Sequence, residues 1–218
     1  MTTSNEDCAV AWGKLRAAVN GNSMPDRHPL LDHQHDVAAC FLELMKTRGL
    51  RRAAERAAGA PLGAMQLQRL AVLVFLHDAG KANAGFQAKQ FSGSVPRGWP
   101  AFTAGHSAEA RTEEAEALYA KHLPCEALLE WGEGDCADRL LLASVSHHGR
   151  PVARASRART SRVIWEDVLV DGHLVYSPAA TLARMGRAVT KHFPEAFTSG
   201  GAPLPGSAAF GHWFAGAV

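Results

Sequence analysis

Apolar residues return every three or four positions along most of this chain, and that spacing predicts helices. Leu30, Leu31, Val37, Ala38, Phe41, Leu42 and Met45 mark a helix over Pro29 to Lys46, with proline near its start. Met65 to His77 is apolar on nearly every face, as a buried helix is. Ser107 to His122 sets an apolar stripe against an acidic outer face. Asp135 to His147 carries Leu140, Leu141, Leu142 and Val145 and reads as a second buried helix. Leu182, Met185 and Val189 face inward on a surface helix from Pro178 to His192, and Ala208 to Val218 forms the last. Near the start of the chain, Trp12, Leu15 and Val19 predict a first short helix.

Strand signals are few. Val168 to Tyr176, with Asp171-Gly172 at its middle, predicts one small β-hairpin. Phe91 to Phe102 and Thr198 to Gly206 are rich in Gly and Pro and read as loops. The expected fold is all-α, a compact helical bundle of about six to eight helices in a single domain. With 47% hydrophobic residues the chain can build a core without disulfides. Its net charge of +2 creates no molecule-wide field, so any nucleic-acid surface has to be a local patch. Cys8, Cys40, Cys125 and Cys136 form no C-x-x-C pair, and Cys40 sits in an apolar run as a buried thiol would. Reduced thiols, a polar and acidic Met1 to Asp7, and no apolar run of about 18 residues together predict a cytoplasmic protein with no membrane span.

Eleven histidines change the picture. The run FLHDAGKANAGFQ, Phe75 to Gln87, ends an apolar helix on His77 and Asp78. His33 lies mid-helix, His106 opens the acidic helix, and His147 and His148 close another apolar one. Polar groups at the edges of buried segments are costly without partners, and a metal would satisfy all of them together. Imidazole with carboxylate suits Mn, Fe, Co, Ni or Zn. Neighbours on a helix point about 100° apart. A His-Asp pair therefore meets one ion best from a helix end, or serves two ions with Asp78 as a bridge. Five histidines and one carboxylate exceed what one open catalytic ion needs and suit two. His35 faces away from His33, and His28, His122, His173, His192 and His212 show no partner pattern.

The ordered motifs LxxHxxDVA (Leu30 to Ala38), HDAGKxxxxFQ (His77 to Gln87), HSA (His106 to Ala108) and HHGRP (His147 to Pro151) carry a resemblance. Together they resemble the HD superfamily of metal-dependent phosphohydrolases. Within it they are similar to the HD nuclease domain of the CRISPR-associated nuclease-helicase of type I systems. The resemblance implies an HD-domain helical bundle that cleaves single-stranded DNA with a metal-activated water. It implies two divalent ions, with Mn, Fe, Co or Ni foremost and Mg or Zn also able to serve. His33, His77 and Asp78 would hold the first ion, Asp78 would bridge, and His106, His147 and His148 would hold the second. Lys81 would face a substrate phosphate beside Asp78. The implied partners are a superfamily 2-type helicase, on this chain or another, and a CRISPR RNA-guided surveillance complex.

One departure concerns the far end. The family pattern has a further metal-binding Asp on a late helix, whereas this sequence closes on FGHWFAGAV. The expectation is that residues 1–218 are one HD-type nuclease domain cut before that Asp and before a helicase region. The alternative is that Asp167, Asp171 or water completes the first site. Arg150, Arg154, Arg157, Arg159 and Arg162 fall within thirteen residues free of Asp and Glu, and could track a DNA backbone or form a solvated loop. Trp99 and Phe102 are candidates for base stacking or core packing, and Gln87 either touches the site or caps its helix. Two rival functions use the same residues: a nucleotide or cyclic-nucleotide phosphohydrolase, and an impaired HD fold that acts as a docking module. No GYP triplet supports the cyclic-dinucleotide variety, and no GxGxxG or GxxxxGK[ST] supports a Rossmann or P-loop enzyme.

Overall fold

The computed structural model describes residues 9–16, 26–91, 94–101, 104–105, 112–145 and 159–218. Among these are ten α-helices: α1 (Leu30–Met45), α2 (Arg48–Ala58), α3 (Ala64–Phe75), α4 (Ala84–Gln87), α5 (Glu113–His122), α6 (Cys125–Leu129), α7 (Cys136–Val145), α8 (Arg159–Ile164), α9 (Pro178–His192) and α10 (Ala208–Ala217). The β-structure among the described residues is two antiparallel pairs, β1 (Trp12–Arg16) with β2 (Asp26–Pro29) and β3 (Val168–Val170) with β4 (His173–Tyr176). The protein is thus all-α in class, and the hairpin expected around Asp171-Gly172 is present. Both of those residues take positive φ, 50° and 78°, as a two-residue hairpin turn demands.

The first short helix expected from Trp12, Leu15 and Val19 is instead strand β1. Three apolar residues are too few to separate periods, and Gly13 is a poor helix former. Tertiary bonds decide the matter: Trp12 N donates to Gln87 Oε1 at 2.9 Å, and Gln87 Nε2 donates back to Trp12 O at 3.0 Å. Helix α2 was not expected, because its inward position is Ala54 among arginines, which gives little hydrophobic contrast. Helices α4, α6 and α8 span six residues or fewer, too short to show a period.

The chain divides into two compact units, each assembled from three separate segments. The first holds residues 1–33, 78–123 and 153–185. In it Trp12 stacks on Phe86 at 4.6 Å between ring centroids, and Tyr176 stacks on Trp99 at 5.5 Å. The Tyr176 hydroxyl donates to Ala82 O at 2.6 Å. Trp99 thus packs into this core rather than standing free as a stacking platform. Gly85 is required by space, since a Cβ there would lie 2.8 Å from Ala104 Cβ and 2.9 Å from Ile164 Cγ2.

The second unit holds residues 34–77, 124–152 and 186–218. Its centre is α3, in which every residue from Leu70 to Phe75 is buried. Helix α7 packs against α3, and Ser144 Oγ donates to Leu73 O at 2.8 Å. Phe75 meets Phe193 edge-on, and Phe214 of α10 meets Phe41 of α1. Arg69 is buried and donates to the carbonyls of Ala196, Gly200 and Ala202, which pins the chain before α10. Burial lowers its pKa from the ordinary guanidinium value. The expectation of a buried Cys40 fails: it is exposed with Asp36 and Glu43 on one face of α1, while Ala38, Phe41 and Met45 face inward. No described helix is long and apolar enough to cross a membrane.

Candidate metal centre

The α-helical path of α3 ends at Phe75 and tightens into a 3₁₀ stretch, Leu76–Ala82, with a kink at Asp78 (φ −104°, ψ 17°). That bridge-region geometry is where many site residues sit. It also answers the packing problem of an adjacent His-Asp pair, because the kink removes the rigid angle between neighbours. The turn is closed by Asn83, whose Oδ1 accepts from Phe86 N at 2.6 Å while its Nδ2 donates to Gly80 O and Gly105 O.

Ligand atoms of His33, His77 and Asp78 all lie within 4.8 Å of one another, and all three residues are buried. His33 arrives from the first turns of α1 with Nε2 3.1 Å from Asp78 Oδ2. His77 is joined covalently to Asp78 and is oriented by its own helix: Nδ1 lies 2.7 Å from Val74 O. A carbonyl only accepts, so Nδ1 carries the proton and Nε2 keeps its lone pair for a ligand. An imidazole bonded to a backbone carbonyl through its other nitrogen is the usual state of a metal-binding histidine. Two imidazoles, one of them oriented in this way, and one carboxylate fit a divalent transition ion, and three ligands leave coordination positions open.

Lys81 is also buried, and its Nζ bonds Asp78 Oδ2 at 2.5 Å and Gly13 O at 3.1 Å. The ammonium that the resemblance would set before a substrate phosphate thus lies against the buried carboxylate. Strand β1 supplies more than that carbonyl. A Cβ on Gly13 would come within 2.9 Å of His33 Cβ, so this glycine lets the strand lie against the ligand. Gln87 neither caps a helix nor reaches the ligands; it ties β1 and the 3₁₀ turn together, with Nε2 donating to Lys81 O at 2.8 Å as well as to Trp12 O. Gly13 and Trp12 had no signal in the sequence as site residues, since only the fold carries them to Lys81 and Gln87, 68 and 75 residues away. His28, which had no pattern either, sets its ring edge-on to His33 at 6.0 Å.

The structure brings together His33, His77, Asp78 and Lys81. His106, His147, His148, Arg150, Arg154 and Arg157 lie outside the described residues, as does Phe102, and so does the Arg159 side chain. Arg162 is exposed and pairs with Glu166 at 3.0 Å. Asp167 and Asp171 are exposed and are not members of the cluster.

The family model described as "Cas3, HD domain" matches residues 12–218. Two solved structures share the fold. A chain of a CRISPR RNA-guided surveillance complex, pre-nicking, aligns with TM-score 0.54 and 19% identity, covering 97% of this chain and 24% of that one. The crystal structure of a CRISPR-associated protein aligns with TM-score 0.55 and 20% identity, covering 95% and 22%. This chain thus spans about a quarter of the length of the chains it resembles. No curated protein matches its sequence.

Proposed function

Because this chain belongs to the family of Cas3 HD domains, within a metal-dependent hydrolase superfamily, we propose that it is a nuclease cleaving phosphodiester bonds of single-stranded DNA in CRISPR interference. The observation that carries the reading is the buried trio His33, His77 and Asp78 on the motif order that the family predicts. One divalent ion would sit on that trio, and a second would use His106, His147 and His148, with Asp78 shared. Bound ions of this kind supply Lewis acidity toward a phosphoryl oxygen and bring water's pKa toward neutrality.

The chain's own residues prepare that chemistry. The Val74 carbonyl holds the His77 ring in one tautomer. Lys81 stands against Asp78, and its charge is near enough to offset negative charge developing on a phosphate. The Trp12–Gln87 bonds fix β1, and with it the Gly13 carbonyl that aims Lys81. Arg150, Arg154, Arg157 and Arg159 are the proposed contacts to the strand. A helicase that exposes single strands and an RNA-guided surveillance complex are the proposed partners.

The test is nicking and degradation of circular single-stranded DNA with Mn, Co, Ni, Mg or EDTA, with metal analysis of the purified chain. The expected result is metal-dependent cleavage that Asp78→Ala abolishes together with bound metal. Hydrolysis of small nucleotides without cleavage of DNA would overturn the reading in favour of a nucleotide phosphohydrolase.

A further inference from the structure

Helix α2 carries positive charge at the end where the helix dipole disfavours it, in contrast to α5. Helix α5 has Glu113, Glu114 and Glu116 in its first turn and Lys121 and His122 in its last, which suits the helix dipole. Helix α2, RGLRRAAERAA, has no acidic residue in its first turn and starts on Arg48 at the positive end. Its N-cap Thr47 makes no side-chain cap bond. Arg48, Arg52 and Arg56 are all exposed and recur at four-residue steps, so they form one stripe of like charge.

The single carboxylate of the helix is engaged mainly by Arg51, with Arg52 adding only the weakest Coulombic attraction. Glu55 Oε1 is taken by Arg51 Nε at 2.8 Å and by Leu62 N at 3.3 Å, and Arg51 Nη2 bonds Leu62 O. Arg51 lowers the Glu55 pKa through that hydrogen bond, so the carboxylate stays charged and occupied. Among the described residues no ion pair forms on Arg48, Arg52 or Arg56. Arg52 and Arg56 border a shallow surface recess of about 560 Å³ whose other walls are Glu55, Gly59, Ala60 and Pro61.

We propose that the α2 stripe is a nucleic-acid contact surface, binding the phosphodiester backbone through Arg48, Arg52 and Arg56. Steps of four residues put guanidinium groups about 6 Å apart along the helix axis, a regular array that suits a linear polyanion. All three are arginines, whose planar fork pairs with phosphate in two hydrogen bonds. The helix carries no aromatic residue, Leu50 is its one exposed large apolar side chain, and its recess is lined mainly by small and charged groups, so the aromatic anchors typical of protein interfaces are missing. The surface is independent of the metal cluster and needs no catalysis to be seen.

The experiment is fluorescence anisotropy of labelled single- and double-stranded oligonucleotides against the whole chain in EDTA, from 25 to about 300 mM salt. The triple variant R48Q/R52Q/R56Q keeps helix propensity, and circular dichroism checks its fold. A control, K121Q/R187Q/K191Q, removes the same charge at exposed positions elsewhere. The expected result is weaker binding by about tenfold or more at low salt, with a salt slope reduced by about 2 on single strands, while the control changes far less. Equal losses in both variants, or none in either, would overturn the proposal. So would unchanged DNA binding with lost retention on polyglutamate, which would assign the stripe to an acidic protein.

Discussion

Lys81 Nζ lies 2.5 Å from Asp78 Oδ2, one turn along a 3₁₀ segment, with both groups buried. A buried carboxylate without its cation is strongly destabilising. Lys81→Met is expected to cost about 3–5 kcal/mol in urea unfolding with EDTA present. Manganese should restore more stability in the variant than in the parent, because an ion can replace the lost charge. Equal responses would show that Lys81 does not balance Asp78.

Gly13→Ala places a methyl group 2.9 Å from His33 Cβ, which has no free end to swing aside. Either β1 or the imidazole must move. The expected outcome is a 10- to 100-fold weaker manganese affinity by calorimetry, about what loss of outer support costs a metal site, since the ligands themselves are intact. Unchanged affinity would mean the strand yields instead.

Gln87→Leu removes partners from Trp12 N, Trp12 O and Lys81 O in a buried setting. Each orphaned backbone group costs about 1–3 kcal/mol, so a loss of at least about 3 kcal/mol is expected by chemical denaturation. The near-ultraviolet circular dichroism of Trp12 should change with it.

Acid should weaken the fold through two histidines. Burial pushes the His122 pKa down, with Lys121 adding repulsion, and burial lowers His192 too, followed by His35 and Lys191. A lowered folded value means the unfolded chain takes up protons first. The contribution is therefore complete above the unfolded value, near about 6.5, and is lost as pH falls through the folded one. The urea midpoint in EDTA should drop between pH 7.5 and 5, and H122Q/H192Q should flatten that drop.

Thiol chemistry gives a simpler check. Cys40 is exposed, whereas burial raises the pKa of Cys125 and of Cys136. At pH 8 iodoacetamide should label Cys40 far faster than Cys136, as read by peptide mass spectrometry, with Cys136 reacting only on unfolding. Early labelling of Cys136 would contradict its packing against the Leu204 and Pro205 carbonyls.

The all-α class, the principal long helices and the Asp171-Gly172 hairpin were written in local patterns: a period of 3.6, an Asp-Gly turn and apolar runs long enough to count. The His77-Asp78 pair stood out as polar groups ending a buried segment, and the family resemblance set His33 beside them, a grouping that the structure also brings together. Tertiary structure decided what no local pattern could hold. It made Trp12–Arg16 a strand by tying Trp12 to Gln87, 75 residues on. It exposed Cys40 by choosing which face of α1 points inward, and it turned Lys81 onto Asp78 and a glycine carbonyl. Such outcomes depend on which distant groups meet, and a bond between remote residues leaves no period in the sequence that makes it.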